Sequence, residues 1–373
     1  MRNLIFILLA LSASAAAACT TVVVGRKCSA TGRVIVGHNE DSFGSTVRAF
    51  RVPPRTHGAG ATLPAEPGRA AIPQVASTRG FYWLEVRERA TGLGVSPCDA
   101  AFNDAGVLVV SNNALCRECA ETNRLTAGGV YYNLRRAVAE RARTAREAVA
   151  VITNLVSSWG YASAGRIYTV ADASEAWQVH VLYGKRFIAR RCPDDGVVLT
   201  ANCCSMRTRE PGDVLADEFR ALPERFSYAD AFELRGDWAK GHYVYRWRNL
   251  ARSFTGRAWP DDAAHLPYAV RPSAPVTAEA VRLALASHYE GTEDEIPVGA
   301  DGTRHDERVR APLCRGETLF SSVWSFGARP DDMDLSLAVG PPCGHPATRV
   351  NPLVDALPGG EEAVRALERH CLK

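Results

Sequence analysis

The chain has 373 residues, 46% of them apolar and 23% charged, enough apolar side chain for one large core or two medium ones. A net charge of +3 offers no basic face for nucleic acid or an acidic membrane, so those two partner classes are set aside. Residues 1–18 carry one basic residue (Arg2), an apolar run over 4–11 and the small-residue tail SASAAAA. That pattern reads as a secretory signal peptide, too short for a membrane span, and no later stretch approaches spanning length. Ala16 and Ala18 meet the small-residue requirement for cleavage before Cys19. A lipoprotein signal, with Cys19 acylated, is the competing reading. Against it, Ala16 stands where a large aliphatic is expected, and no linker separates Cys19 from the first strand. The expected organisation is a leader over 1–18 and a single catalytic domain over 19–373, exported after cleavage. Cleavage would give Cys19 a thiol and a free α-amine together, a nucleophile with its own base.

Residues 19–41, CTTVVVGRKCSATGRVIVGHNED, are patterned as a hairpin. Two β-branched runs, 20–24 and 33–36, flank a turn region bounded by Gly25 and Gly32. A fold symmetric about those glycines sets Cys19 opposite His38 within two residues of register, with Cβ atoms about 5 Å apart. Asn39, Glu40 and Asp41 follow at the same end of the sheet. Residues 53–80, rich in Pro, Gly, Ala and Arg, read as a long surface loop. Strands follow over 81–89 and 107–111, the second ending in Asn112 and Asn113, a pair more often a turn than a site. The apolar positions of 133–159 recur at three- and four-residue steps and predict a helix ended by Gly160. Short strands over 167–170, 176–182, 186–190 and 197–200 predict the meander of a second sheet, closing at Thr200-Ala-Asn202. Residues 207–265 mix helical and loop character, 276–289 read as a helix and 291–306 as an acidic loop. A strand over 318–326 pairs with one beginning at Met333, and the tail over 359–373 reads as a short amphipathic helix. Together these pieces suggest an α+β fold, a four-layer αββα sandwich.

Eleven cysteines leave ten if Cys19 is a nucleophile, an even number that fits structural disulfides in an exported protein, with connectivity open. Cys116-Arg-Glu-Cys119 is read as a loop disulfide, with a thiol oxidoreductase motif as the alternative. The nine histidines show no HExxH and no clustering that suggests a metal, so neither metal nor cofactor is expected.

Cys-Thr-Thr, the glycine-flanked hairpin and the closing Asn-Glu-Asp resemble the start of mature N-terminal-nucleophile cysteine hydrolases. The segments RARTAREAV, VADASEAW and ARRCPDD resemble the secreted dipeptidase and secernin group in particular. Choloylglycine hydrolases, penicillin V acylases and isopenicillin-N acyltransferases are more distant kin. The resemblance implies an αββα fold and attack by Cys19 on the amide of a dipeptide or N-acyl amino acid, through a thioester. It implies Asp41 as holder of the N-terminal ammonium and Asn113 and Asn202 as oxyanion donors. His38, where these families usually carry arginine, is expected to contact substrate or thiol, with a hydrogen-bonded structural histidine as the alternative; Asn39 is taken as a second substrate contact. Arg246 or Arg248 corresponds to a late family arginine. Acyl transfer is the nearest alternative activity. A secreted or lipid-anchored binding protein, with Cys19 only a processing site, is the alternative of another class.

Overall fold

A computed structural model of the chain describes residues 19–41, 45–88, 98–117, 122–224, 226–228, 237–260, 266–305 and 311–355. The leader and the tail helix expected over 359–373 lie outside these residues. The amino-terminal hairpin forms as β1 (Thr20–Val24) and β2 (Ile35–Asp41), with Thr20 opposite Asn39 and Thr21 opposite His38. This register is two residues from the symmetric one, so continuing it sets Cys19 level with Glu40.

The chain continues through β3 (Ser45–Val52), a two-strand ribbon of β4 (Arg55–Thr56) and β5 (Ser77–Thr78) in the expected long loop, β6 (Phe81–Glu88), β7 (Cys98–Asn103) and β8 (Leu108–Asn113). Two helices, α1 (Asn133–Arg141) and α2 (Ala145–Trp159), replace the single helix expected over 133–159. Ala142 turns extended, and Thr144 caps α2 by accepting a 3.1 Å hydrogen bond from the Glu147 N–H. Gly160 ends α2 at φ 79°. The strands β9 (Arg166–Ala171), β10 (Ala176–Leu182) and β11 (Arg186–Arg191) then make the expected meander. Its fourth member does not stay: β12 (Val197–Thr200) crosses to the other sheet and pairs with β1, Thr200 opposite Thr21. The remaining strands and longer helices are β13 (Val214–Leu215), α3 (Asp237–Thr255), β14 (Ala269–Val270), α4 (Ala278–Leu285), β15 (Thr318–Ser325), β16 (Asp334–Val339) and β17 (Thr348–Val350).

The first sheet runs β14-β12-β1-β2-β15-β16-β17, the second β13-β11-β10-β9-β8-β7-β6-β3, with antiparallel pairing throughout. Alternation along each strand gives each sheet two apolar faces. Val23, Val36, Phe320 and Trp324 of the first sheet meet Tyr82, Leu84, Phe102 and Val110 of the second in a buried inter-sheet core. Ala137, Val138 and Ile152 of α1 and α2 cover the far face of the second sheet over Val109, Tyr168 and Val179. Trp247, Leu250, Val281 and Leu285 of α3 and α4 cover the far face of the first over Val22, Ile35 and Leu199. The result is the four-layer αββα order expected from the sequence. Among the described residues no helix is long and apolar enough to cross a membrane.

Candidate active site

Cys19 lies at the head of β1, in the middle of the first sheet, and is 1% exposed. Strand alternation decides its neighbours. Thr21 and Val23 share its face, turned toward the second sheet, as do Val36, His38 and Glu40 on β2. The Cys19 Sγ lies 3.3 Å from Glu40 Oε1 and 3.9 Å from the Asp41 carbonyl. The other Glu40 oxygen, Oε2, is 3.1 Å from His38 Nε2, and His38 Nδ1 is 2.8 Å from Thr21 Oγ1. Thr21 in turn donates to Asn112 Oδ1 of β8 at 2.6 Å. A buried polar chain thus runs from the second sheet to the thiol, with His38 inside it between Thr21 and Glu40 and not against the sulfur. The residue that meets the sulfur is Glu40, expected at this end of the sheet but without an assigned role; it lies two residues on from His38 and so on the same face.

Asn39 and Asp41 face the other way, toward α4 and the loop before β15. The Asn39 amide donates to the carbonyls of Leu285 and Leu313, each at 2.9 Å, and so ties the strand to the end of α4 and the loop before β15. Asp41 Oδ1 accepts from Thr318 Oγ1 at 2.7 Å, while Oδ2 is buried without a hydrogen-bond partner among the described residues. Burial pushes the Asp41 carboxyl up to about 6, against the opposing pull of Arg315, Thr318 and Arg246.

Arg246 of α3 is the hub on this side. Its Nη1 donates to the Cys19 carbonyl (3.1 Å), Thr20 Oγ1 (3.3 Å) and Asn202 Oδ1 (3.0 Å), and its Nη2 to the Ala201 carbonyl (2.9 Å). Of the two arginines singled out in the sequence, Arg246 reaches the site; Arg248 pairs with Asp294. Asn202 follows β12 in the left-handed region (φ 61°), and its amide donates to the Asn113 carbonyl at 2.8 Å. The structure therefore brings Cys19, Asn113 and Asn202 to one corner, with Arg246 orienting the second amide. Opposite Asn113 in the β8–β9 register stands Arg166, whose guanidinium donates to Ser111 Oγ (3.0 Å) and Tyr161 Oη (3.3 Å). Only the pairing of two strands places it there, and no local motif marks it.

The Cys19 thiol is held well above its usual range, first by burial and then by the Glu40 and Asp41 charges; Arg166 pulls it the other way. Among the described residues no disulfide joins any two of cysteines 19, 28, 116, 192, 203, 204, 314 and 343. The expected disulfide framework is not seen among these residues; Cys28 Sγ lies 3.2 Å from the carbonyls of Gly25 and Gly196, and Cys192 Sγ lies 3.6 Å from Tyr268 Oη. Cys119, the expected partner of Cys116, lies outside the described residues.

Two antiparallel sheets between helix layers make a four-layer αββα sandwich of the N-terminal-nucleophile hydrolase type, with Cys19 buried at the head of a central strand. The chain belongs to peptidase family C69, whose family model matches residues 18–325, and it is accordingly a hydrolase of peptide C–N bonds. It is 24% identical over 339 residues to a probable dipeptidase A of Streptococcus pyogenes serotype M1, covering 82% of this chain and 68% of that one. It is 25% identical over 348 residues to a dipeptidase of Bifidobacterium longum, covering 79% and 62%. The chain thus spans roughly two thirds of the length of these relatives. Among solved structures, a mutant of the conjugated bile acid hydrolase from Clostridium perfringens matches at 10% identity and TM-score 0.41, covering 92% of this chain and 94% of that one. The penicillin V acylase from Agrobacterium tumefaciens matches at 13% identity and TM-score 0.38, covering 87% and 84%.

Proposed function

We propose that this protein is a dipeptidase acting through Cys19 after removal of residues 1–18. The observation that carries the reading is the placement of Cys19, its sulfur beside Glu40 and its carbonyl gripped by Arg246 at the head of the central strand. In the uncleaved chain the thiol is protonated at neutral pH, since burial and two carboxylates disfavour its charge. Cleavage adds an amine on the same residue. The unpartnered Asp41 Oδ2 is an acceptor for its ammonium form, and the amine in its neutral form takes the thiol proton. The thiolate then attacks the carbonyl carbon of a short peptide, or of an N-acyl amino acid. Asn113 and Asn202 donate to the oxyanion, a term typically worth about 3 kcal/mol per donor. Collapse expels the amine, which takes the proton back from the α-ammonium, and water hydrolyses the resulting thioester. Glu40, steadied by His38, sets the position and charge of the sulfur.

The test is activity of the purified protein against a panel of dipeptides and N-acyl amino acids, with the N-terminus of the active form determined by sequencing. The expected result is dipeptide hydrolysis by a form starting at Cys19, and loss of at least about 1,000-fold in a Cys19→Ser variant that keeps the wild-type melt. Full activity in a chain that retains residues before Cys19, or unchanged turnover in the serine variant, would overturn the reading.

A further inference from the structure

The loop from α4 to β15 and the turn after β16 bring together four side chains that the reaction does not use: His288, His305, Cys314 and Cys343. One ligating atom of each lies within 4.8 Å of all the others. The His305 Nε2 is 3.7 Å from Cys314 Sγ and 3.4 Å from Cys343 Sγ, and the His288 and His305 rings are 5.1 Å apart. A tetrahedral zinc ion with Zn–N near 2.0 Å and Zn–S near 2.3 Å separates its nitrogen and sulfur ligands by about 3.5 Å.

A second observation comes from the shell around the cluster. His288 is 4% exposed, and its Nδ1 lies 2.8 Å from Glu290 Oε1. That contact commits Nδ1 to the carboxylate and leaves Nε2 as the ligating atom. This Nε2 is buried and has no hydrogen-bond partner among the described residues. A carboxylate behind a histidine is how proteins orient an imidazole toward a metal. A buried nitrogen without a partner costs free energy until something binds it.

We propose that His288, His305, Cys314 and Cys343 bind one structural zinc ion in a closed Cys₂His₂ site. Two imidazoles and two thiolates whose ligating atoms lie within 4.8 Å of one another suit zinc, and four protein ligands leave no position for substrate or water. The ligands come from separate loops with no short spacing between them, which is why no metal motif is legible in the sequence.

The ion would tie three loop segments together under the active site. Leu313, beside Cys314, holds the Asn39 amide, and Arg315, on its other side, faces the Asp41 carboxylate. Zinc at this place fixes the strap on which the far side of β2 rests. It is a positioning device, remote from the scissile bond.

The experiment is elemental analysis of the full protein purified without chelator, with cobalt-grown protein for spectroscopy. The expected result is one zinc per chain. In cobalt-grown protein we expect thiolate charge-transfer absorption together with the intense visible bands of tetrahedral cobalt. Cys343→Ser and His305→Ala should lose the stoichiometric metal, whereas Cys28→Ser, a thiol outside the cluster, should retain it. Stoichiometric zinc and tetrahedral cobalt spectra in the wild-type chain support the site even if a variant fails to fold. Wild-type protein without stoichiometric metal overturns it, and so does a Cys314–Cys343 disulfide in the peptide map of unreduced protein.

Discussion

On the proposed mechanism the Asp41 carboxylate has two opposite effects, depending on the state of the amino terminus. Its acid form is favoured in the fold, with a value of about 6 against 3.8 for the ordinary side chain. A raised folded value means that the native state holds the proton more tightly, so the stability linked to it is complete below about pH 4 and lost as pH rises through 6. That shift corresponds to a cost of about 3 kcal/mol at neutral pH. In the uncleaved chain, Asp41→Asn should therefore raise stability by roughly 1–3 kcal/mol near pH 7.5 and leave it unchanged near pH 4, as read by urea unfolding at both values. On the proposed mechanism the ammonium of Cys19 in the mature chain supplies the missing counter-charge, and the same substitution should destabilise. An identical effect in both forms would remove Asp41 as the ammonium's acceptor. Glu40 makes a companion case. Its charge helps hold the Cys19 thiol up, so Glu40→Gln should move the thiol titration to lower pH. Ultraviolet thiolate absorbance against pH, taken as the difference from a Cys19→Ala background, measures this, and an unmoved titration would discount the 3.3 Å contact.

Between elements, the closest approach that matters to the site is that of α4 on β2. At Gly37 an added Cβ would strike the side chains of Val281 and Leu285. Gly37→Val should cost about 1–3 kcal/mol by overpacking, visible as a lower melting temperature; a wild-type melt would mean that α4 slides freely over the strand. The hairpin that carries this glycine was legible because β-branched runs and turn glycines are local signals, and β1, β10 and β12 begin and end where those signals do. Register was legible only to within two residues, because a hairpin with a long turn does not fix it. The split between α1 and α2 was also written locally, in Thr144 and Glu147, but a continuous apolar stripe across 133–159 hides a break that costs only a few residues. The helix α3 lies within a stretch whose composition reads as mixed helix and loop, although Tyr243, Trp247, Leu250 and Phe254 keep helical spacing. Arg246, a charge inside that apolar stripe, was the sign that something polar waits opposite. Arg166 and the cluster at His288 had no such sign, because strand pairing and loop packing create them and sequence spacing does not.

Across the whole molecule, the two sheets are joined by an apolar core and by a narrow polar seam at the site. Trp324 is fully buried in that core, near Tyr82 and Phe102, and its indole N–H donates to Ser322 Oγ at 3.0 Å. Trp324→Ala should cost about 3–5 kcal/mol. It should also lower activity on warming earlier than it lowers helix content, since it loosens the sheets before the helices; coincident losses would argue that the layers unfold as one. The two sheets differ in where along the chain their strands come from. The second takes all of its strands from residues 45–215, mostly as neighbours in sequence, whereas the first needs 20–41, 197–200, 269–270 and 318–350. Contacts that close short loops form early and those that close long ones form late. On a ribosome the second sheet can therefore mature while β1 and β2 wait as a hairpin with an open edge, and that edge stays exposed until β15 has been made and slots in beside β2. A nascent or truncated chain that stops short of residue 325 therefore carries β2, with His38 and Glu40, without the strand that flanks it on the side away from β1.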